Sequence, residues 1–128
     1  MFEVRNALKA SFETIDNLEV ISSSWKTARQ ELPLPAIVVD LESVFPGTTL
    51  ESGEVETRQH TIPCSLHVPL NQSDDDAEAA LESLMESVED SIALVYGNQY
   101  AINDWFPHVV LWGNGQALCG AFSIVIEI

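Results

Sequence analysis

Basic residues are what this chain most lacks. Its 128 residues hold 5 Lys and Arg against 20 Asp and Glu, a formal net charge of −15, and no Lys or Arg follows Arg58. Proteins grip nucleic-acid backbones with clustered Lys and Arg that release counterions, so tight DNA binding and adhesion to an anionic membrane are excluded. Cysteine is almost as scarce. Cys64 and Cys119 are too few for a disulfide framework and read as small buried hydrophobes in a reducing compartment. No stretch approaches the roughly 18 apolar residues of a membrane span. The opening "MFEVRNALKASFETI" mixes charge into its first turns, unlike a secretory signal. A soluble, intracellular protein is expected.

The chain is nevertheless built to fold. Its hydrophobic share of 46% separates it from acidic disordered chains, which carry too few apolar residues to form a core. One domain over residues 1–128 is expected. Val4, Leu8, Phe12 and Ile15 recur at helical spacing with Arg5, Lys9 and Glu13 on another row, which predicts an amphipathic helix over residues 2–15 ended by Asp16-Asn17. "NLEVISSSWK" offers a short strand. Pro33 and Pro35 forbid helix before the β-branched run Ala36 to Leu41, a buried strand. Residues 44–54, "VFPGTTLESGE", read as an extended hairpin arm or loop with Phe45 exposed. Between Val55 and Leu70, Ile62, Cys64, Leu66, Val68 and Leu70 alternate with polar residues in one long half-buried strand. Within it Pro63 demands an edge or a bulge.

Residues 73–97, "SDDDAEAALESLMESVEDSIALVYG", give the clearest helix. Ser73 caps it, Asp74, Asp75 and Asp76 suit the positive end of the dipole, Gly97 stops it, and Ala77, Leu81, Leu84, Val88, Ile92 and Val95 form its apolar stripe. Capping does not explain the row Glu78, Glu82, Glu86, whose like charges one turn apart oppose the helix. After an aromatic connection, "NQYAINDWFPH", residues 108–112 and 117–128 form two strands about Gly113-Asn114-Gly115, with Leu118, Phe122, Ile124, Ile126 and Ile128 inward. The predicted fold is α+β: a mainly antiparallel sheet, two helices packed on one face and a long hairpin arm.

Few residues invite chemistry. His60, Cys64 and His67 have zinc-ligand identities, but Pro63 forbids the helix that would converge them, and in a strand His67 faces away from the other two. No Ser or Cys sits in a strand-to-helix elbow, and no Lys follows the glycines of residues 113–115 as in a phosphate cradle. The helical carboxylates read as a solvated face rather than a desolvated acid pair. No catalytic residue, metal or cofactor is expected. Trp105, Phe106 and Trp112, without basic neighbours, read as core or protein-interface aromatics. Phe45 is either tucked under its own loop or presented to another chain.

The helix "VRNALKASFETI", the approach "LPAIVVDLES" to the first buried strand, the arm "VFPGTTLESGE", the long strand "TRQHTIPCSLHVPL", the helix "SDDDAEAALESLMESVEDSI" and the last strand "GAFSIVIEI" together resemble the tail terminator, or tail-completion, proteins of long-tailed bacteriophages, the family that includes the minor tail protein U of lambda. The resemblance spans nearly the whole chain. It implies a non-enzymatic subunit of a hexameric ring in the virion, at the head-proximal end of the tail, which ends tube polymerisation. Its partners would be further copies of itself, the tail tube protein and a head-tail connector or neck protein, with DNA passing through unheld. Phe45, Pro46, Leu50, Arg58, Trp105 and Phe106 are the candidate ring or tube contacts. Glu78, Glu82, Glu86, Glu89 and Asp90 would line the lumen, repelling phosphates within a Debye length of about 8 Å, or meet Arg5, Lys9, Lys26, Arg29 or Arg58 of the next subunit. A neck protein and an acidic DNA mimic that inhibits a nucleic-acid enzyme are the competing roles.

Overall fold

A computed structural model describes residues 3–22, 34–70, 73–113 and 115–128. The order of elements is α1 (Glu3–Phe12), β1 (Glu19–Ser22), β2 (Ala36–Val39), β3 (Ser43–Pro46), β4 (Arg58–Pro69), α2 (Asp74–Tyr96), β5 (Tyr100–Trp112) and β6 (Gly115–Glu127). The strands make one sheet in the order β1-β2-β4-β6-β5, with β3 also paired to β4. Only β1 and β2 run parallel; every other pair is antiparallel. The expected α+β architecture is therefore the observed one.

Alternation along β4 and β6 decides which face the helices cover. Ile62, Leu66, Ile124 and Ile126, each 0% exposed, join Leu8 and Phe12 of α1 and Ala77, Leu81, Val88 and Ile92 of α2 in one core. Complete burial of each large aliphatic side chain contributes ~1.5–3 kcal/mol. On the opposite face a smaller cluster gathers Ile21, Ala36, Val38, Trp112 and Ala117.

The first helix stops at Phe12, short of the predicted Ile15. The Ile15 N–H bonds back only three residues, to the Phe12 carbonyl, so the chain tightens there. It turns at Asn17, whose φ of 62° is one that Asn tolerates. The predicted strand after it runs Glu19–Ser22, and residues 23–26 of "NLEVISSSWK" lie outside the described residues. The second helix keeps its predicted caps: the Asp76 N–H donates to Ser73 Oγ and the Gly97 N–H to the Ala93 carbonyl. Its buried stripe differs. Met85 and Ser91 are buried, Leu84 is only half-buried and Val95 is 45% exposed, because the helix leans toward α1, where Ser11 Oγ donates to the Ser91 carbonyl at 3.1 Å.

Pro63 is not bulged and meets the edge condition locally, in the gap between β2 and β3 on one side of β4. Its carbonyl accepts the Asp40 N–H at 2.9 Å, so its nitrogen faces the same side, where the chain leaves the ladder between β2 and β3. No donor is needed there.

The supposed connection before residue 108 is instead the first half of β5, which pairs with β6 from Tyr100 onward. A register shift between Asn103 and Phe106, with Asp104 at φ 61°, inserts one extra residue. Such a bulge re-aims side chains. Here it turns Trp105 onto the helix-covered face, 6.0 Å from the Phe122 ring and so close to Gly120 that a Cβ there would lie 2.3 Å from the indole. Ile128, expected inward, is 47% exposed at the chain end.

Candidate interaction surfaces

The six predicted contact residues divide between opposite sides of the sheet. Phe45, Pro46, Leu50 and Arg58 belong to the arm, a hairpin in which β3 pairs with the start of β4. Beyond β3 the arm is held by its own backbone: Gly47 N–H to the Thr57 carbonyl, Glu56 N–H to the Thr48 carbonyl and Leu50 N–H to the Glu54 carbonyl. Its base is tied to β6 by reciprocal backbone bonds between Arg58 and Ile128. Phe45 is 55% exposed, so it is not tucked under its own loop, and Val44, Leu50 and Val55 are exposed with it. Trp105 and Phe106 lie on β5, at the far edge.

Between these edges runs a sheet surface that carries almost no charge. By register, β4 directs Gln59, Thr61 and Pro63 away from the helices and β6 directs Ala121, Ser123 and Val125, with Phe45 on one flank and Phe106 on the other. Carboxylates stand only at its rim: Glu127 opposite Gln59, and Asp40 beside Pro63. The sequence reading missed this face. Its signal was present in the outward residues of the long strand, which are polar but uncharged in a strongly acidic chain.

The carboxylates concentrate on α2. Glu78, Glu82, Glu86 and Asp90 are exposed and Glu89 is half-buried. Of the bases considered as their partners, Arg5 is unavailable: it is buried, its Nε donating to the Asp40 carbonyl at 2.7 Å and its guanidinium to the Val39 carbonyl at 3.0 Å. Lys9 donates to Ser22 Oγ at 2.8 Å. Lys26 and Arg29 lie outside the described residues, and Arg58 is exposed.

A cleft of about 140 Å³ opens between α2 and β5, lined by Leu81, Trp105, Pro107 and Leu118 with Glu78 and Glu82. A neighbouring hollow of about 180 Å³ is lined by Leu70, Asp74, Glu78, Val109 and Leu118. Pockets for small-molecule substrates usually measure about 300–1,000 Å³. Two open concavities reach this size: one of about 370 Å³, lined by Asp16, Asn17, Pro35, Val68, Pro69, Ala80, Ser83 and Leu84, and one of about 510 Å³, lined by Glu13, Ile15, Asp16, Asn17, Leu18, Glu19, Leu34 and Pro35. Among the described residues, no cysteine, histidine or cation lines either.

Two polar clusters lie inside the fold. Glu42, buried after β2, accepts the Arg5 backbone N–H at 3.1 Å and meets His60 Nδ1 at 2.8 Å, pinning α1 to the base of the arm. Burial first, then the charges of Glu42 and Glu3, pushes the Tyr96 hydroxyl pKa upward. On the opposite face His67 Nε2 lies 2.8 Å from Ser65 Oγ and 4.0 Å from Cys119 Sγ, under Trp112 at 4.5 Å. Burial pushes Cys119 up to about 11 and Cys64 higher still, so both are neutral thiols at pH 7 rather than nucleophilic thiolates. They also occupy opposite faces, since Cys64 pairs with Phe122 while Cys119 pairs with His67. His60 and Cys64 likewise share the face that His67 leaves. No known protein family and no curated protein sequence matches the chain. Among the described residues, no helix is long and apolar enough to cross a membrane.

Proposed function

We propose that this chain is the subunit of a homomeric ring of the tail-terminator kind, a structural role rather than an enzymatic one. One observation carries it: the nearly charge-free sheet face between Phe45 and Phe106 on a chain of net charge −15. Copies so strongly charged repel, and burying a carboxylate without a partner is costly, so they associate most readily across a surface that desolvates none. The two borders of that face differ, one being the arm and the other the β5 edge. Association through unlike patches closes into a ring when the rotation permits. The resemblance to the phage family implies an α+β subunit, and the α+β fold of this chain supports the reading to that extent.

In this reading the arm's Phe45, Pro46, Leu50 and Arg58 contact the neighbouring copy or the tail tube. The exposed carboxylates of α2 keep passing DNA from adhering, since phosphates are repelled within about 8 Å at physiological salt. The ring ends the tube and offers its other side to a head-tail connector in the virion.

Native mass spectrometry and electron microscopy of the purified chain, alone and with tail tubes, test this. Six-fold rings or concentration-dependent hexamers are expected, and Phe45→Asp abolishes them while circular dichroism stays unchanged. A strict monomer that ignores tubes and inhibits a nuclease identifies a DNA mimic instead.

A further inference from the structure

The cleft between α2 and β5 is too small for a substrate, yet it has a definite chemistry. Leu81, Pro107 and Leu118 give it apolar walls, the Trp105 indole closes one side, and Glu78 and Glu82, one helical turn apart, stand at its rim. Among the described residues the single ion pair is Glu42 with His60, so no described cation neutralises these two glutamates. An aliphatic stem beneath a cationic head matches such a lining: methylenes lie on apolar walls, the cation meets an aromatic face and paired carboxylates complete the contact.

The adjoining strand supplies the second half of the site. In the strand order β5 is terminal, so its outer backbone N–H and C=O groups meet no strand among the described residues. Edge strands are usually blunted by Lys, Pro or bulges. The bulge and Pro107 blunt this one only up to residue 107; "HVVLW", residues 108–112, follows without a charge. Val109 and Leu111 there are 52% and 74% exposed. Such an edge accepts an extended peptide through main-chain bonds, while pockets beside it read alternate side chains.

We propose that this edge and cleft form a docking site for an extended segment of another protein, which adds to β5 at residues 108–112 and places one Arg or Lys side chain in the cleft between Trp105 and the Glu78–Glu82 pair. Charge favours another protein as the occupant: this chain has five cations, of which Arg5 and Lys9 are engaged internally, Lys26 and Arg29 lie outside the described residues, and only Arg58, on the arm at the far side of the sheet, is exposed. The site gives the row Glu78, Glu82 a use that helix stability does not. The cleft lies on the helix-covered side of β5, whereas the proposed ring contact lies on the opposite face, so the two share only the β5 edge.

The test uses amide chemical-shift mapping, sensitive to affinities near millimolar, with the peptide acetyl-Val-Thr-Val-Arg-Val-Thr-Val-amide and with versions bearing Gln or Glu in place of Arg. The Arg peptide is expected to shift amides of residues 108–112 and the Trp105 indole, and to bind at least tenfold more tightly than the Glu version. Glu78→Gln with Glu82→Gln should weaken it at least tenfold, and N-methylation of the peptide backbone should abolish binding with the charge intact. Equal affinity for the three peptides, shifts confined to other residues, or no binding overturns the proposal. So does a monomer produced from an oligomer by the Glu78→Gln/Glu82→Gln pair and equally by Arg58→Gln, because a second copy would then fill the cleft. Repeating the titration on Phe45→Asp separates the two ideas: loss of rings with retained peptide binding supports the cleft as a site apart from the ring, and loss of both overturns that separation.

Discussion

The two faces of the sheet are made by the same strands, yet they solve different problems. On the helix side β4 and β6 contribute Ile62, Leu66, Ile124 and Ile126, all fully buried against α1 and α2. On the other side the same strands contribute Gln59, Thr61, Pro63, Ala121, Ser123 and Val125, half-buried or exposed and without charge. A face meant only for water in so acidic a chain has no reason to avoid carboxylates, which keep a protein soluble. Avoiding them matters where another surface is to lie flat against it. The charge is displaced instead onto α2, whose outer rows need no close packing.

Core truncation separates the faces most strongly. Leu66→Ala leaves a cavity amid fully buried neighbours and is expected to cost about 2–5 kcal/mol in urea unfolding. Thr61→Ala, on the same strand but the opposite face, should stay within about 0.5 kcal/mol. Near-equal losses would mean that the bare face is covered in the monomer, which would remove it as a meeting place for copies.

A smaller effect is expected at the start of α2. Ser73→Ala removes the acceptor of the Asp76 N–H and should cost about 1 kcal/mol. Asp at the same position should restore most of that, since it caps equally well, and measuring both variants distinguishes a lost cap from a lost surface hydroxyl. Asp74, Asp75 and Asp76 are thereby explained as dipole partners; the acids further along are not.

These contrasts also show where the sequence was legible. Both helices, the buried strands and the arm follow from periodicity, Pro placement and capping residues, because those signals are local. Arg5 was unreadable for the opposite reason: its partners, the carbonyls of Val39 and Asp40, lie more than thirty residues away, and nothing in "VRNALK" announces them. The strand character of residues 100–107 was obscured by the extra residue at Asp104-Trp105, which breaks the alternation that a reader of periods depends on. That same irregularity builds the cleft, since it is what aims Trp105 at Gly120 and α2. Trp105, Phe106 and Trp112, expected as core or interface aromatics, separate in the structure: Trp112 is buried while Trp105 and Phe106 are exposed on β5, and placing that edge opposite Phe45 required the sheet order. The charge-free face was visible only in part, because its residues come from strands far apart in the chain.

The smallest expected effect bears on why the acidic row is kept. Glu86 is exposed in mid-helix, four residues from both Glu82 and Asp90, where like charges destabilise by about 0.2–0.5 kcal/mol per pair and the terminal dipoles no longer reach. Glu86→Gln should therefore stabilise the fold by a few tenths of a kcal/mol, an increment that shrinks as salt is raised from low to physiological strength, since the screening length falls to about 8 Å. A charge that lowers the stability of the fold is accounted for by what it does outside the fold. If Glu86→Gln instead destabilises the protein at every salt concentration, the row is held by contacts within the chain, and neither a phosphate-repelling surface nor a basic partner is needed to account for it.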